Sequence, residues 1–175
     1  MSAGLFITIS KKPKMLDKLF HEGLQDIYFA EKKILLALPK MAKAAETEEL
    51  ADAFREHEEQ TREQVSRLEK VFKLIGEKPQ AKKCPAIVGI IEEGEDIIEE
   101  YEDSPALDAG LLGAAQAVEH YEIARYGTLK GWARELGLNE AVSLLQATLE
   151  EEEDTDEKLS KLAETPINQK AEAAE

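Results

Sequence analysis

The feature that most constrains this chain is an apolar residue at every third or fourth position, a period that persists from Met15 almost to the end of the sequence. This spacing places apolar side chains along one face of an α-helix, whereas a half-buried strand would need strict alternation. With 10 glycines, 6 prolines and 6% aromatic residues, the composition also argues against an all-β fold rich in tight turns. The sequence therefore predicts an all-α protein. The first apolar stripe consists of Phe20, Leu24, Ile27, Ile34, Leu38 and Met41.

Four long helices and one long connection follow from where these stripes begin and end. Pro39 lies inside the first stripe and is expected to kink or break that helix, because proline has no N–H to donate. Thr47 is placed to cap the second helix, and Ser104 followed by Pro105 is typical of a helix start. The long stretch after Glu77 favours a crossover along the bundle that carries a short extra helix. We expect a ferritin-like four-helix bundle with this crossover between helices 2 and 3.

The chain is expected to form a single domain, since its 175 residues are within the usual range for one core. The predicted bundle spans residues 15–164, and the polar residues 165–175 are predicted to be a disordered tail. Residues 1–14 are interpreted as a flexible leader, because their apolar run precedes the lysines, the reverse of a secretory signal. The absence of a long apolar run and the single cysteine, Cys84, predict a cytoplasmic location.

The charge of the chain excludes several classes of partner. Lysine and arginine total 22 and aspartate and glutamate total 37, which gives a formal net charge of −15. Affinity for a phosphate backbone comes mainly from basic groups, so we expect no nucleic-acid partner, and an anionic membrane surface is disfavoured for the same reason. The sequence also has no Gly-rich phosphate loop, no Cys-x-x-Cys pair and no nucleophile elbow.

Metal-capable side chains interrupt the apolar stripe of each long helix near its middle. Burying several ionised carboxylates would cost many kcal/mol unless cations offset their charge. The nearby basic residues Lys32, Lys33, Arg125 and Lys158 are expected to project sideways or outward. Carboxylate and imidazole ligands suit iron or manganese, so the pattern predicts a pair of such cations in the core. The six candidate ligands are Glu31 in the first helix, His57 in the second, Glu119 and Glu122 in the third, and Glu152 and Asp156 in the fourth.

Each of these residues also has a simpler explanation. Most acidic residues of such a chain form a solvated face, and a lone His57 is more often a hydrogen-bonded helix residue than a ligand. His120 flanks the inward face, either as a ligand or as a donor to one, and Tyr126 is expected to pack in the core. The metal hypothesis rests on the coincidence of four interrupted stripes. The alternative is a structural or partner-binding bundle without a metal centre, with its inward acids partly protonated or at a wet dimer interface.

Three segments resemble the bacterial YciE/YciF stress-protein family, and the likeness extends over about residues 15–163. They are residues 24–32, the helix from His57 to Glu69, and residues 114–122, whose Gln-Ala-Val-Glu-His-Tyr-Glu block is the most specific part. That family is similar to rubrerythrin and other ferritin-like proteins. The resemblance implies a homodimer of four-helix bundles with a di-iron site and a role in the stress response.

The resemblance also assigns some ligands and exposes one departure. Glu119 and Glu122 look like the two-glutamate motif on the third helix of rubrerythrins, and Glu31 matches their lone first-helix glutamate. Ferritin-like sites normally carry Glu-x-x-His on the second and fourth helices, yet this chain has no Glu-x-x-His. His57 is the sole candidate imidazole on the second helix. A site rich in carboxylates and poor in nitrogen favours hard ions, including manganese.

The predicted function is therefore that of a metal-binding stress-response protein, with two iron or manganese ions per chain. Its chemistry would be redox, either reducing peroxide or oxidising Fe(II), and whether the protein is an enzyme stays open. Glu119 and Glu152 are the candidates to bridge the two ions, although the spacing of the residues leaves these roles open.

Overall fold

The computed structural model describes residues 15–173, and in this part of the chain every regular element is a helix. The prediction of an all-α protein is confirmed. No described helix combines the length and the apolar character that crossing a membrane would require. The predicted leader, residues 1–14, lies outside the described residues. The helices are α1 (Leu16–Ala44), α2 (Glu48–Leu74), α3 (Pro85–Glu100), α4 (Leu107–Glu135), α5 (Asn139–Leu162) and α6 (Asn168–Ala173), with a kinked turn at Ala163–Ile167 before α6.

The four long helices form the predicted bundle. Helix α1 packs against α2 and α4, and α5 packs against α4 and α2, which closes a four-helix arrangement. Helix α3 belongs to the connection between α2 and α4 and lies on the outside of α1 and α4. The prediction of a ferritin-like four-helix bundle with an extra helix in its crossover is thus confirmed.

The apolar stripes fill both ends of the bundle. Phe20 and Phe72 are fully buried at one end, where the ring of Phe72 also contacts the ring of Tyr28 edge-on. Leu50 and Phe54 are buried near the start of α2, toward the other end. Burying each such side chain contributes roughly 1.5–3 kcal/mol to stability. The middle of the bundle is therefore flanked by apolar layers on both sides.

Asp108 fixes the connection between α1 and α2. Its Oδ1 accepts a hydrogen bond from the Glu46 N–H at 2.8 Å, and its Oδ2 accepts one from the Thr47 N–H at 2.9 Å. Thr47 is the N-cap residue of α2, as the sequence predicted, but its own side chain makes no capping bond. A carboxylate from α4 thus satisfies two backbone donors at the start of α2, where the helix dipole favours negative charge.

Three boundaries differ from the sequence-based expectations. Helix α1 continues through Pro39, which faces solvent while its neighbour Leu38 is buried, so packing holds the helix together. Helix α4 begins at Leu107 rather than Ser104, because the Ser104 hydroxyl accepts the Ala106 N–H in a turn before the helix. Residues 165–173, expected to be disordered, are helical apart from a kink, and the side chain of Ile167 is buried.

Candidate metal centre

Five of the six predicted ligands meet in the middle of the bundle. Because each continues the apolar stripe of its helix, it points into the core together with its leucine and isoleucine neighbours. The four glutamates are fully buried, and the histidine is 3% exposed. We call this group the carboxylate cluster. It consists of Glu31 from α1, His57 from α2, Glu119 and Glu122 from α4, and Glu152 from α5.

The ligand atoms of the cluster lie at distances that suit a metal ion. His57 Nδ1 is 3.1 Å from Glu119 Oε1, and His57 Nε2 is 3.6 Å from Glu152 Oε2. One donor atom from each of His57, Glu119, Glu122 and Glu152 can be chosen so that all lie within 4.8 Å of one another. Ligands on opposite sides of an ion that binds at about 2.1 Å are separated by about 4 Å. These four side chains could therefore surround one cation with little rearrangement.

Glu31 joins the cluster from α1 and is held by Tyr126. The Tyr126 hydroxyl donates a hydrogen bond to Glu31 Oε1, and both side chains are fully buried. The second oxygen, Oε2, has no hydrogen-bond partner. The tyrosine thus fixes one carboxylate oxygen and leaves the other free to bind a ligand. Tyr126 is part of the core, as expected, but its hydroxyl also has this second role.

The electrostatics of the cluster favour a cation. Burial, followed by the charge of the neighbouring carboxylates, raises the pKa of Glu31, Glu119 and Glu122 well above the usual range. Apart from the contact between His57 Nδ1 and Glu119 Oε1, the oxygens of Glu119, Glu122 and Glu152 lack hydrogen-bond partners. Within residues 15–173, no lysine or arginine forms an ion pair with a member of the cluster. Since buried acids are normally paired or coordinate metals, these residues fit a group of positive charge.

The sixth predicted ligand, Asp156, lies at the edge of this group. Its side chain is half-buried, and its Oδ1 is 3.4 Å from Nε2 of His120. The charge of Asp156 contributes to the raised pKa of Glu119, so the two carboxylates are close. The side chain of His120 is 69% exposed and is not among the residues whose ligand atoms converge in the cluster. His120 was expected to be either a ligand or a donor to one, and this conformation disfavours the role of ligand.

A polar network on α2 and α5 borders the cluster. Its central ion pair, between Arg67 and Glu151, was not predicted from the sequence. Arg67 forms two hydrogen bonds to the Glu151 carboxylate, at 2.5 and 2.6 Å, and Gln64 Nε2 donates to Glu151 Oε2 at 3.2 Å. Arg67 Nη1 also lies 3.3 Å from Thr148 Oγ1. Gln64 and Thr148 stand on the apolar stripes and could be anticipated to point inward. Neither Arg67 nor Glu151 follows those stripes, so nothing in the sequence marked this pair.

Comparisons with known proteins agree with this architecture. The model of a family described as "Domain of unknown function (DUF892)" matches residues 15–172. Protein YciF of Escherichia coli (strain K12) is 45% identical over 160 residues, which cover 91% of this chain and 96% of that protein. The crystal structure of the E. coli stress protein YciF superposes with a TM-score of 0.85 at 44% identity, covering 90% of this chain and 99% of that one. YcfI from Rhodopseudomonas palustris, for which a structural role has been suggested, gives a TM-score of 0.83 at 45% identity, covering 87% and 97%.

Proposed function

Because this chain belongs to the DUF892 family and is a homologue of the stress protein YciF, we propose that it acts in the stress response by binding two iron or manganese ions in its carboxylate cluster. The observation that carries the proposal is the set of buried, unpaired carboxylate oxygens on Glu119, Glu122 and Glu152. Left without a cation, carboxylates this close to one another repel, and burial with the neighbouring charges accordingly raises the pKa of Glu119 and Glu122. A pair of cations removes both penalties.

The donor set of the cluster favours hard or intermediate cations. It offers one imidazole and four carboxylates, and carboxylate oxygens suit manganese and Fe(II) better than soft metals such as Cu(I). Glu31, His57, Glu119, Glu122 and Glu152 would together hold the two ions, and Glu119 and Glu152 are the candidates to contact both of them. Asp156 is the sixth ligand of this assignment and has to turn inward from the edge of the cluster.

The residues around the cluster define what it can do. Bound iron or manganese supplies one-electron redox chemistry, so we propose a role in peroxide reduction or in Fe(II) oxidation under stress. The Tyr126 hydroxyl orients the Glu31 carboxylate, and the apolar layers at both ends of the bundle exclude bulk water from the cluster. We further propose that the protein is cytoplasmic and works as a homodimer, as the family resemblance implies.

The proposal is tested by equilibrium binding of Mn(II), and of Fe(II) under anaerobic conditions, to protein stripped of metal. We expect about two ions per wild-type chain. Mutating a residue that only hydrogen-bonds to a metal ligand typically lowers metal affinity about 10- to 100-fold. Glu152→Gln removes a buried ligand itself, so it should weaken binding at least tenfold. The matched control is Glu153→Gln, which changes the adjacent, exposed glutamate and should leave binding unchanged.

A structural bundle without a metal centre predicts the opposite result. In that case wild-type protein and both variants would bind Mn(II) equally weakly, at a level that any acidic surface gives. Circular dichroism of Glu152→Gln shows whether the variant keeps its helices, so that lost binding is not confused with lost folding.

A further inference from the structure

A small apolar cavity lies between α1, α3 and α4 and ends at the carboxylate cluster. Its volume is about 30 Å³, enough for one or two small molecules. Helix α3 supplies one wall with Ile90, Ile91, Gly94 and Ile98, while His57 and Glu119 form part of the opposite, inner end. Four larger surface clefts contact no member of the cluster. This cavity is distinguished from the larger clefts because it reaches the carboxylate cluster.

The two ends of the cavity differ in chemistry. At the inner end, His57 Nε2 and Glu119 Oε2 have no hydrogen-bond partner. At the outer end, Lys40 and Glu95 are half-exposed and pair with each other, with Nζ and Oε1 2.6 Å apart. The charged groups at the outer end therefore satisfy one another. An occupant between the two ends contacts hydrocarbon almost everywhere.

We propose that this cavity admits dioxygen to the carboxylate cluster, an inference that rests on the proposed metal-binding function and specifies the oxidant. An apolar cavity takes up small apolar molecules readily, as engineered cavities take up xenon. Hydrogen peroxide and ions would give up hydrogen bonds to water that these walls cannot replace, at a cost of several kcal/mol. The crossover helix α3, which a plain four-helix bundle lacks, is what turns the groove between α1 and α4 into a cavity.

The inference is tested on metal-free protein, with dissolved dioxygen itself as the probe. Dioxygen is paramagnetic and accelerates the NMR relaxation of methyl groups that it approaches. Ile34 lines the cavity and is 2% exposed, whereas Ile27 is 0% exposed and lies outside the lining, so the two methyls are about equally shielded from solvent. We expect the relaxation enhancement at the Ile34 δ1 methyl to exceed that at Ile27 at least threefold.

Two glycines of α3 provide a variant and its control. Gly94 lines the cavity, and a Cβ there would meet Ala114 Cβ at 3.5 Å, an ordinary contact, so Gly94→Leu can fill the space. Gly89 is outside the lining and a Cβ there meets nothing within 4 Å. Both changes replace a helical glycine by a good helix former. Gly94→Leu should abolish the excess relaxation at Ile34, and Gly89→Leu should preserve it.

Equal enhancement at Ile34 and Ile27 in the wild type overturns the inference, as does an undiminished excess in folded Gly94→Leu. The wild-type comparison decides the matter by itself if that variant does not fold. Since no metal is present, the result is independent of the function proposed above. A chain that binds Mn(II) but does not concentrate dioxygen contradicts only the cavity assignment, and one that concentrates dioxygen without binding metal contradicts only the metal function.

Discussion

Asp108 and Glu122 lie on the same face of α4, four helical turns apart, and both are buried, but their surroundings differ. The Asp108 carboxylate accepts two backbone hydrogen bonds at the start of α2. No backbone N–H and no basic side chain bonds either oxygen of Glu122, and burial together with the charge of Glu31 raises its pKa. The first acid is paired by the backbone of this chain, and for the second we propose a bound cation as the partner.

The comparison shows that burial alone does not mark a metal ligand. Asp108 is 4% exposed and Glu122 is 0% exposed, so accessibility hardly separates them. Their hydrogen bonds separate them, because a buried carboxylate without a partner is strongly unfavourable, whereas a paired one stabilises the fold.

Metal should stabilise the cluster without involving Asp108. At a free Mn(II) concentration about 1,000 times the dissociation constant, each independent site should raise the free energy of unfolding by about 4 kcal/mol. The increment should be the same in Asp108→Ala, since that carboxylate is already paired. Urea unfolding of chelator-treated protein with and without Mn(II) measures both values. An increment near zero in the wild type would contradict the assignment of the cluster.

Removing Asp108 should destabilise the protein whether or not metal is present. Asp108→Ala eliminates two hydrogen bonds to a charged acceptor and leaves two backbone donors at the start of α2 unpaired, which should lower the free energy of unfolding by about 3 kcal/mol. The control is Asp154→Ala, at an exposed position of α5, with an expected change of at most about 0.5 kcal/mol. Equal losses in the two variants would show that the Asp108 bonds contribute nothing.

The cluster should make the metal-free protein less stable as the pH rises. The pKa values of Glu31, Glu119 and Glu122 are raised in the folded state, so these groups keep protons that the unfolded chain releases above about pH 4.3. Their contribution to stability is complete below that pH and is lost as the pH rises toward the folded pKa values. For each group that keeps its proton only in the folded state, the free energy of unfolding decreases by about 1.4 kcal/mol per pH unit.

A variant isolates one of these groups. Glu122→Gln should make the decrease in unfolding free energy between pH 5 and pH 6 smaller by about 1.4 kcal/mol, measured by urea unfolding in the presence of a chelator. With metal bound the dependence reverses, because protons then compete with the cation for the carboxylates. An unchanged pH dependence in Glu122→Gln would mean that this carboxylate is already ionised in the folded protein.

The sequence was sufficient to predict the fold and the inward direction of the cluster. Apolar spacing is local information, so the four long helices and the crossover helix followed from it. The burial of Glu31 and Glu152 followed as well, because each continues a stripe of core residues. Whether the cluster binds metal stays a prediction, since position on a helix face does not report the partner of a side chain.

What the sequence could not reveal depends on contacts between distant segments. Asp108 falls on the same stripe as Leu112, but its partners are backbone groups at Glu46 and Thr47 that only the packed bundle brings close. Ile167 lies in a polar tail and is buried because the kinked turn Ala163–Ile167 packs against α4 and α5. The cavity under α3 likewise depends on how that helix lies across α1 and α4.

We propose that the buried carboxylates have no basic side chain beside them because cations bind among them. The most direct test is anomalous X-ray scattering at the manganese edge from crystals grown with Mn(II). We expect two anomalous peaks in the middle of the bundle, bounded by Glu31, His57, Glu119, Glu122 and Glu152. A map with peaks only at exposed acids, and none within this group, would contradict it.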